Sequence, residues 1–132
     1  MDTAILIAVQ ERFANDRFAT ENGAVIEEIG EGYAKIVLEL DEHHYNAVGG
    51  VMGGAIFTIA DFAFAVAANW QGKTVVSQTA QITYLGKAKG KKLIAEARMV
   101  KDGRSMCYYV IEVRDELGSQ VAQVTSSGFH VG

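Results

Sequence analysis

Residues 55–70 read AIFTIADFAFAVAANW, and this stretch decides the fold. The run is too long for a β-strand and is rich in alanine, so it predicts a helix. The helix is apolar on almost every side, which is typical of a helix that is buried rather than lying on a surface. It is short for a membrane span and carries Asp61 at its centre, so we interpret it as a core helix and expect no contact with a membrane.

Strands are predicted on both sides of this helix. In the second of two strands before it, Ala34, Ile36 and Leu38 alternate with polar residues, which indicates a half-buried strand in a hairpin that turns at 30–32. After the helix, short glycine-containing turns separate four further segments, and we interpret them as an antiparallel meander. The predicted strands cover residues 24–29, 33–40, 74–84, 91–100, 104–114 and 120–130.

The length of 132 residues corresponds to one domain, residues 1–132, in which residues 1–20 form an N-terminal helix and its lead-in. The apolar N-terminus lacks the basic region and cleavage site of a signal peptide. A helix that is apolar all round must be covered, and the sheet is the only material that can cover it. A curved antiparallel sheet wrapped around a long central helix meets this need, which is an α+β architecture of the hotdog type.

Composition narrows the class of function. The net charge of −4 argues against general nucleic-acid binding. The single cysteine, Cys107, cannot form an internal disulfide and is interpreted as a structural thiol, so we expect a reducing compartment, the cytoplasm. Histidine and cysteine are too few and wrongly spaced for a zinc motif, so we predict no metal. The edge strands of the sheet predict a homodimer or a homotetramer.

Asp61 is the only charged residue between His44 and Lys73. A buried carboxylate either finds partners or has its pKa raised, and a pKa near the working pH suits a general base. Alternatively, Asp61 lies on a wetter stripe of the helix together with Thr58 and Ala65. Periodicity alone leaves both interpretations open.

The loop NAVGGVMGG, residues 46–54, leads directly into the helix. Glycines there let backbone N–H groups approach a ligand, and the helix N-terminus adds the positive end of a dipole. The N–H of Gly53 or Gly54 can therefore hold a carbonyl oxygen. Asp61 is about 10 Å further along the same helix. We expect a second subunit to bring the two groups together.

The stretch NAVGGVMGGAIFTIAD resembles the PaaI-like family of hotdog thioesterases, the phenylacetic-acid-pathway type. The family pattern is Asn-x-x-Gly-x-x-His-Gly-Gly followed by a helix with an Asp, and the matching residues here are Asn46, Gly49, Gly53, Gly54 and Asp61. Later stretches are also similar: SQTAQITYL at 77–85, DGR at 102–104, and the turn at 115–118. The resemblance covers about residues 20–130.

The resemblance implies an enzyme that hydrolyses an acyl-CoA thioester to a free acid and coenzyme A, without a metal or redox cofactor. Coenzyme A is then part of the substrate. Asp61 would activate water or attack the thioester itself, and the N–H of Gly53 would polarise the thioester carbonyl. Asn46 would position the water or the thioester. Ser77 of the other subunit would help to hold the water.

Met52 departs from the family pattern, which has a His before the Gly-Gly pair. A thioether cannot donate a hydrogen bond, so this residue is expected to contact substrate, together with Gly54, rather than orient the loop. Met52 also supports an alternative, a protein that binds acyl-CoA without hydrolysing it. A dehydratase acting on hydroxyacyl thioesters ranks last, because its helix would carry a His. His43 or His44 either replaces the missing imidazole or is merely solvated.

Basic and aromatic residues suggest where the rest of the substrate binds. Lys87 and Lys89 belong to the densest basic run, 87–92, and with Arg104 they are predicted to contact the phosphates of coenzyme A. The alternative is a charged hairpin loop. Four aromatic side chains of the helix either line an acyl pocket or belong to the core. They are Phe57, Phe62, Phe64 and Trp70.

Overall fold

The computed structural model describes residues 2–131, and over that range the chain forms three α-helices and one six-stranded antiparallel sheet. No helix in this range has the length and apolar content needed to cross a bilayer. The helices are α1 (Thr3–Phe13), α2 (Arg17–Glu21) and α3 (Gly53–Asn69). The strands are β1 (Ala24–Gly30), β2 (Tyr33–Glu39), β3 (Val75–Tyr84), β4 (Lys92–Asp102), β5 (Met106–Asp115) and β6 (Gln120–His130).

The strand order is β1-β2-β4-β5-β6-β3, so one part of the predicted topology is wrong. The last three strands do form a meander, but β3 pairs with β6 and not with β4. The β1–β2 hairpin occupies the edge of β4 that a simple meander would give to β3. The chain therefore crosses to the other end of the sheet before it begins β4. Short turns along the sequence predict that strands are antiparallel, but not which edge each one takes.

The long helix α3 packs against the sheet, as the sequence predicts. Ala60, Ala63 and Val66 are fully buried on its sheet-facing side. Further along, the ring of Phe64 meets the ring of Tyr109 edge-on, with centroids 5.3 Å apart. The opposite side of α3 is covered only in part, and the stripe that contains Asp61 remains half-buried in a single chain. Most of the large apolar side chains of α3 are thus buried within one chain, and the half-buried stripe around Asp61 consists of small and polar residues.

The C-terminal end of α3 is joined to its surroundings by two polar side chains. Asn69 accepts a hydrogen bond from the N–H of Val75 at 2.6 Å and donates to the carbonyl of the same residue at 3.2 Å. The indole N–H of Trp70 donates to the carbonyl of Gly30 at 2.8 Å. These bonds fix where β3 starts and how α3 sits against the β1–β2 turn.

β3 is the last strand of the sheet, and its outer edge has no strand partner within residues 2–131. Val75 is buried and Ile82 is half-buried, while the other positions of this strand are exposed. A long exposed edge offers a row of unpaired N–H and C=O groups to another strand. Such an edge is expected to be covered by a second chain.

Asp115 organises the crossing segment between β3 and β4. Its carboxylate is fully buried and accepts four backbone hydrogen bonds, from Lys89, Gly90, Leu117 and Ser119, at 2.7–3.0 Å. Burial alone raises the carboxyl pKa, but these N–H donors outweigh it and lower the pKa to about 2. One side chain therefore holds both the basic loop and the β5–β6 turn.

We expect Asp115→Asn to lower the free energy of unfolding by about 1–3 kcal/mol at neutral pH, because the amide NH2 would face backbone donors. The folded pKa lies below the unfolded value of ~3.9, so this stabilisation is present above that value and is lost as pH falls toward 2. Urea unfolding at several pH values measures the effect. The gap between the native chain and the variant should narrow only below about pH 4.

The matched control is Glu112→Gln, which neutralises an exposed carboxylate on the same strand. It should change stability by less than about 0.5 kcal/mol. An Asp115→Asn variant as stable as this control would show that the four N–H groups do not need the charged acceptor.

Candidate active site

The loop before α3 is a tight hairpin built around Asn46. A single β-bridge joins Tyr45 to Val51 and closes the loop. The side-chain oxygen of Asn46 accepts hydrogen bonds from the N–H groups of Val48 and Gly50, both at 3.0 Å. Its NH2 group donates to no acceptor within the described residues, so that group remains able to contact a ligand.

The N-terminus of α3 presents free backbone donors. Met52 is the N-cap residue, and its side chain makes no capping hydrogen bond. The N–H groups of Gly53 and Gly54 have no acceptor in the part of the chain that the structure describes. Unpaired N–H groups at a helix start, reinforced by the helix dipole, suit an oxygen that carries partial negative charge. The predicted oxyanion position at Gly53 therefore has the donor it needs.

Tyr84, at the end of β3, lies directly over the first turn of α3. Its hydroxyl donates to the carbonyl of Gly53 at 3.0 Å. A Cβ at position 53 would lie 2.8 Å from this hydroxyl and 3.1 Å from the ring carbon that bears it. A side chain at position 53 would therefore have to displace the tyrosine hydroxyl from the Gly53 carbonyl. Sequence reasoning missed Tyr84 as part of the site, although the residue lies within the stretch SQTAQITYL that carries the resemblance.

His44 is buried, and backbone groups hold its ring in place. Its Nδ1 accepts from the N–H of Asp41 at 3.0 Å, and its Nε2 lies 2.7 Å from the carbonyl oxygen of Asn22, to which it donates in this tautomer. Both ring nitrogens are thus engaged. His43 is exposed, and among the described residues its hydrogen bonds are to Asp41. The prediction that these histidines are solvated holds for His43 and is wrong for His44.

Three clefts surround the N-terminal half of α3. The first, called here the loop cleft, has a volume of about 320 Å³ and brings Asn46, Gly53, Tyr84 and Lys87 together. The second, the apolar cleft, measures about 330 Å³ and contains Met52 and Gly54 in its wall. The third, of about 290 Å³, contains Asp61 and is called the Asp61 cleft. The residues of the predicted site are thus distributed over three neighbouring clefts of one chain, of which the apolar cleft and the Asp61 cleft share Phe18, Ala19 and Thr58.

Asp61 lies on the half-buried stripe of α3, beside the start of α2. Removal from water raises the pKa of its carboxyl group, and the negative charge of Asp16 across the cleft raises it further. Thr58 and Ala65 flank it on the helix, as the periodicity predicts. Asp61 therefore occupies the wetter stripe and also has a raised pKa, so both interpretations of this residue describe it.

Helix rise separates Asp61 from Gly53 by about 12 Å, so one chain does not bring the carboxylate to the oxyanion position. Ser77 is likewise exposed on the open strand β3, away from the loop cleft of its own chain. Arg104 lines a cleft with Lys73 near the C-terminal end of α3, whereas Lys87 lies beside the N-terminal end. Lys89 is exposed, and its backbone N–H is bound to Asp115.

A separate cluster of polar side chains lies at the far end of the sheet. Ligand-type atoms of Asp102, Cys107 and His130 lie within 4.8 Å of one another, which spacing along the sequence could not reveal. The Asp102 carboxylate is already paired, with the Lys73 ammonium at 2.6 Å and with His130 Nε2 at 2.7 Å. We interpret this cluster as an ion-pair network that ties β4 to β6. The thiol of Cys107 is buried, and burial raises its pKa, as expected for a structural cysteine.

The sequence is similar to known thioesterases over most of its length. The model of the family described as "Thioesterase superfamily" matches residues 48–122. A candidate esterase of Archaeoglobus fulgidus is 36% identical over 120 residues, which cover 90% of this chain and 78% of the relative. The acyl-coenzyme A thioesterase PaaI of Escherichia coli is 29% identical over 121 residues, covering 91% of this chain and 86% of that protein.

Solved structures agree with the fold and with the family. The PaaI protein of E. coli superposes with a TM-score of 0.84 at 26% identity, covering 96% of each chain. A Streptococcus mutans protein bound to acetyl-CoA gives a TM-score of 0.78 at 26% identity, over 83% of this chain and 90% of the other. The predicted hotdog architecture is confirmed. This chain belongs to the thioesterase superfamily and is a PaaI-like thioester hydrolase.

Proposed function

We propose that this chain is an acyl-CoA thioesterase whose active site combines the loop cleft of one subunit with Asp61 of another. The single observation that supports this most directly is the separation of two complementary groups on one helix. Free N–H donors lie at Gly53, and a carboxylate of raised pKa lies about 12 Å along the same helix. Within one chain the carboxylate does not reach the N–H donors. A second copy of the chain can bring its own Asp61 to these donors and its own donors to this Asp61.

In the proposed reaction, the thioester carbonyl oxygen accepts a hydrogen bond from the N–H of Gly53. The free NH2 group of Asn46 and the hydroxyl of the second subunit's serine at position 77 hold the attacking water. Asp61 takes a proton from this water, and the water oxygen attacks the carbonyl carbon. Alternatively, the carboxylate attacks the carbonyl carbon itself, and after the thiolate has left, the water hydrolyses the resulting anhydride to the free acid and regenerates Asp61. In both cases the C–S bond breaks, and coenzyme A leaves as a thiolate that later takes up a proton. These groups supply base and oxyanion stabilisation, so we propose that neither a metal nor a redox cofactor is required.

The open edge of β3 supports the proposed assembly. Pairing two such edges would extend the sheet across two chains and cover the exposed positions of both strands. It would also lay the half-buried stripes of the two α3 helices on the same side of the joined sheet. We propose a homodimer as the smallest active unit, located in the cytoplasm as the single unpaired cysteine suggests.

Asp61→Asn should lower kcat for acyl-CoA hydrolysis by about two orders of magnitude or more, because the amide can act neither as base nor as nucleophile. Release of free thiol from a panel of acyl-CoA esters measures this. Turnover that survives the substitution would place the chemistry on another residue. Absence of turnover in the native chain with ester binding retained would favour a protein that only binds acyl-CoA, with Met52 as the reason.

Mixing two inactive variants tests whether the site is shared. Asn46→Asp keeps the acceptor oxygen that holds the loop but removes the NH2 donor. Chains that carry Asn46→Asp, unfolded and refolded together with Asp61→Asn chains, should regain about a quarter of the native rate, because half of the dimers then contain one intact site. Recovery of no activity in dimers of confirmed mixed composition would mean that each chain builds its own site.

Asp16→Asn should shift the acidic limb of the pH–rate profile to lower pH. Asp61 works in its ionised form, so activity falls as pH drops through its pKa, and the charge of Asp16 raises that pKa. Removing this charge lowers the pKa and extends activity toward acid. The profile of kcat/KM against pH measures the shift, with the exposed Glu112→Gln as control. A limb that stays in place would assign the titration to another group.

Neutralising Lys87 and Lys89 together, as Gln, should raise KM for an acyl-CoA ester about fivefold or more while leaving the matching pantetheine ester unchanged. Both side chains are exposed, and Lys87 lines the loop cleft. Lys35→Gln removes a cation from the outer face of the sheet and serves as control. Equal effects on the two esters would show that the lysines do not contact the nucleotide part of coenzyme A.

A further inference from the structure

Three adjacent strands each bring one polar side chain to the end of the sheet that lies beyond the C-terminal end of α3. Asp102 of β4 is directly opposite Cys107 of β5, and Cys107 is in turn opposite Gly128 of β6. His130 lies two residues beyond Gly128, so its side chain projects from the same face of the sheet. Cys107 alternates in step with the buried Tyr109, which packs against α3, so this is the helix-facing side. Asp102, Cys107 and His130 are called here the Cys107 cluster.

The ligand-type atoms of the Cys107 cluster are close enough to share one metal ion. The carboxylate, thiol and imidazole atoms lie within 4.8 Å of one another, and His130 Nε2 is 2.7 Å from Oδ1 of Asp102. Atoms bound to one zinc ion at its usual bond lengths are about 3.2–3.8 Å apart. Each ligand belongs to a strand that is held by its neighbours, so small rotations of the side chains are enough to reach coordination distance.

The sulfur of Cys107 is seated against the backbone of β6. A Cβ at position 128 would lie 3.0 Å from this sulfur and would also crowd Val75 and Phe64, so position 128 has no room for a side chain. Burial raises the pKa of the free thiol, and the backbone amide of Gly128 opposes that rise in part. A cation bound to the sulfur would stabilise the thiolate, which is the form that coordinates metals.

Two clefts give an ion access to the Cys107 cluster. One has a volume of about 280 Å³ and is lined by Asp102, His130 and Lys73. The other has a volume of about 380 Å³ and is lined by Cys107. Both are large enough to hold several water molecules, so a hydrated ion can enter and a water can remain bound to it.

The donor types and charges of the Cys107 cluster match a divalent cation of the zinc class. A thiolate, a carboxylate and a neutral imidazole carry two negative charges together, which a divalent cation neutralises. Sulfur and nitrogen donors favour zinc over magnesium or calcium. The ammonium of Lys73 is 2.6 Å from Oδ2 of Asp102, whereas His130 pairs with Oδ1. The lysine can therefore stay in place while an ion binds at the other carboxylate oxygen.

We propose that the Cys107 cluster binds one Zn²⁺ ion per chain through Asp102 Oδ1, Cys107 Sγ and His130 Nε2, with a water as the fourth ligand. Binding releases the thiol proton to solvent, and the imidazole carries its remaining hydrogen on Nδ1. The ion cross-links β4, β5 and β6. The helix α3 has 17 residues and is about 25 Å long, so the ion lies far from Gly53 of its own chain and is separate from the proposed hydrolysis.

Titration of the full chain with zinc tests the proposal, after reduction and removal of metal with a chelator. Calorimetry should show one Zn²⁺ per chain with a Kd of about 1 μM or lower, and saturating zinc should raise Tm by about 5 °C or more. Cobalt serves as a spectroscopic probe. Cys107 is the only cysteine, so a sulfur-to-cobalt charge-transfer band in the near ultraviolet identifies its thiolate as a ligand. Metal binding without that band would place the ion elsewhere and overturn the proposal.

Substitutions locate the ion. Cys107→Ser and His130→Gln should each weaken zinc binding by about 100-fold or more, whereas Lys73→Gln should tighten it about threefold or more by removing a nearby positive charge. The matched control is His43→Gln, which removes an exposed histidine that also lies beside a carboxylate, that of Asp41, and should leave the affinity unchanged. Urea unfolding without metal verifies that each variant is folded. No zinc binding by the native chain, or equal affinities for the native chain and Cys107→Ser, would overturn the proposal.

Discussion

The contact between α3 and the sheet is the constraint on which the other features depend. Fully buried alanines at positions 60 and 63 let the helix backbone lie close to the strands, and a sheet that covers such a helix must curve around it. Six strands cover one side of the helix and leave a stripe beside Asp61 half-buried. One chain therefore leaves two surfaces without cover, the half-buried stripe of α3 and the outer edge of β3. The proposed pairing with a second copy of the molecule would cover both.

Much of this architecture is readable from the sequence, because it follows from local pattern. The alternation in β2, the length and composition of α3, and the glycine turns identify every strand and the central helix to within a few residues. The position of β3 could not be read in this way. Strand pairing depends on which edges remain unoccupied after the β1–β2 hairpin has docked, and that is a property of the whole sheet.

The residues of the candidate site fall into the same two groups, those that local sequence indicates and those that only the fold reveals. Asp61 stands out as a lone charge, and the glycines before α3 stand out as a loop that exposes N–H groups. The partners of His44, Tyr84 and Asp115 are far away in sequence, so their roles emerge only once the fold is known. His44 illustrates the difficulty: in the sequence it is one of two adjacent loop histidines, yet in the structure only its neighbour is solvated. Local composition thus indicates which residues carry reactive groups, but not which residues hold the site in place.

The contact between Tyr84 and Gly53 also limits how this protein can change over time. A side chain at position 53 would lie 2.8 Å from the tyrosine hydroxyl, so a substitution there must push the Tyr84 side chain aside and disturb its hydrogen bond to the Gly53 carbonyl. Position 52, one step earlier, faces a cleft and is half exposed, and it is there that this chain differs from the family pattern. A single substitution at position 52 can therefore alter the wall of this cleft while the backbone N–H of Gly53 and the contact with Tyr84 stay in place. Two adjacent positions, 52 and 53, therefore differ in how freely they can be substituted.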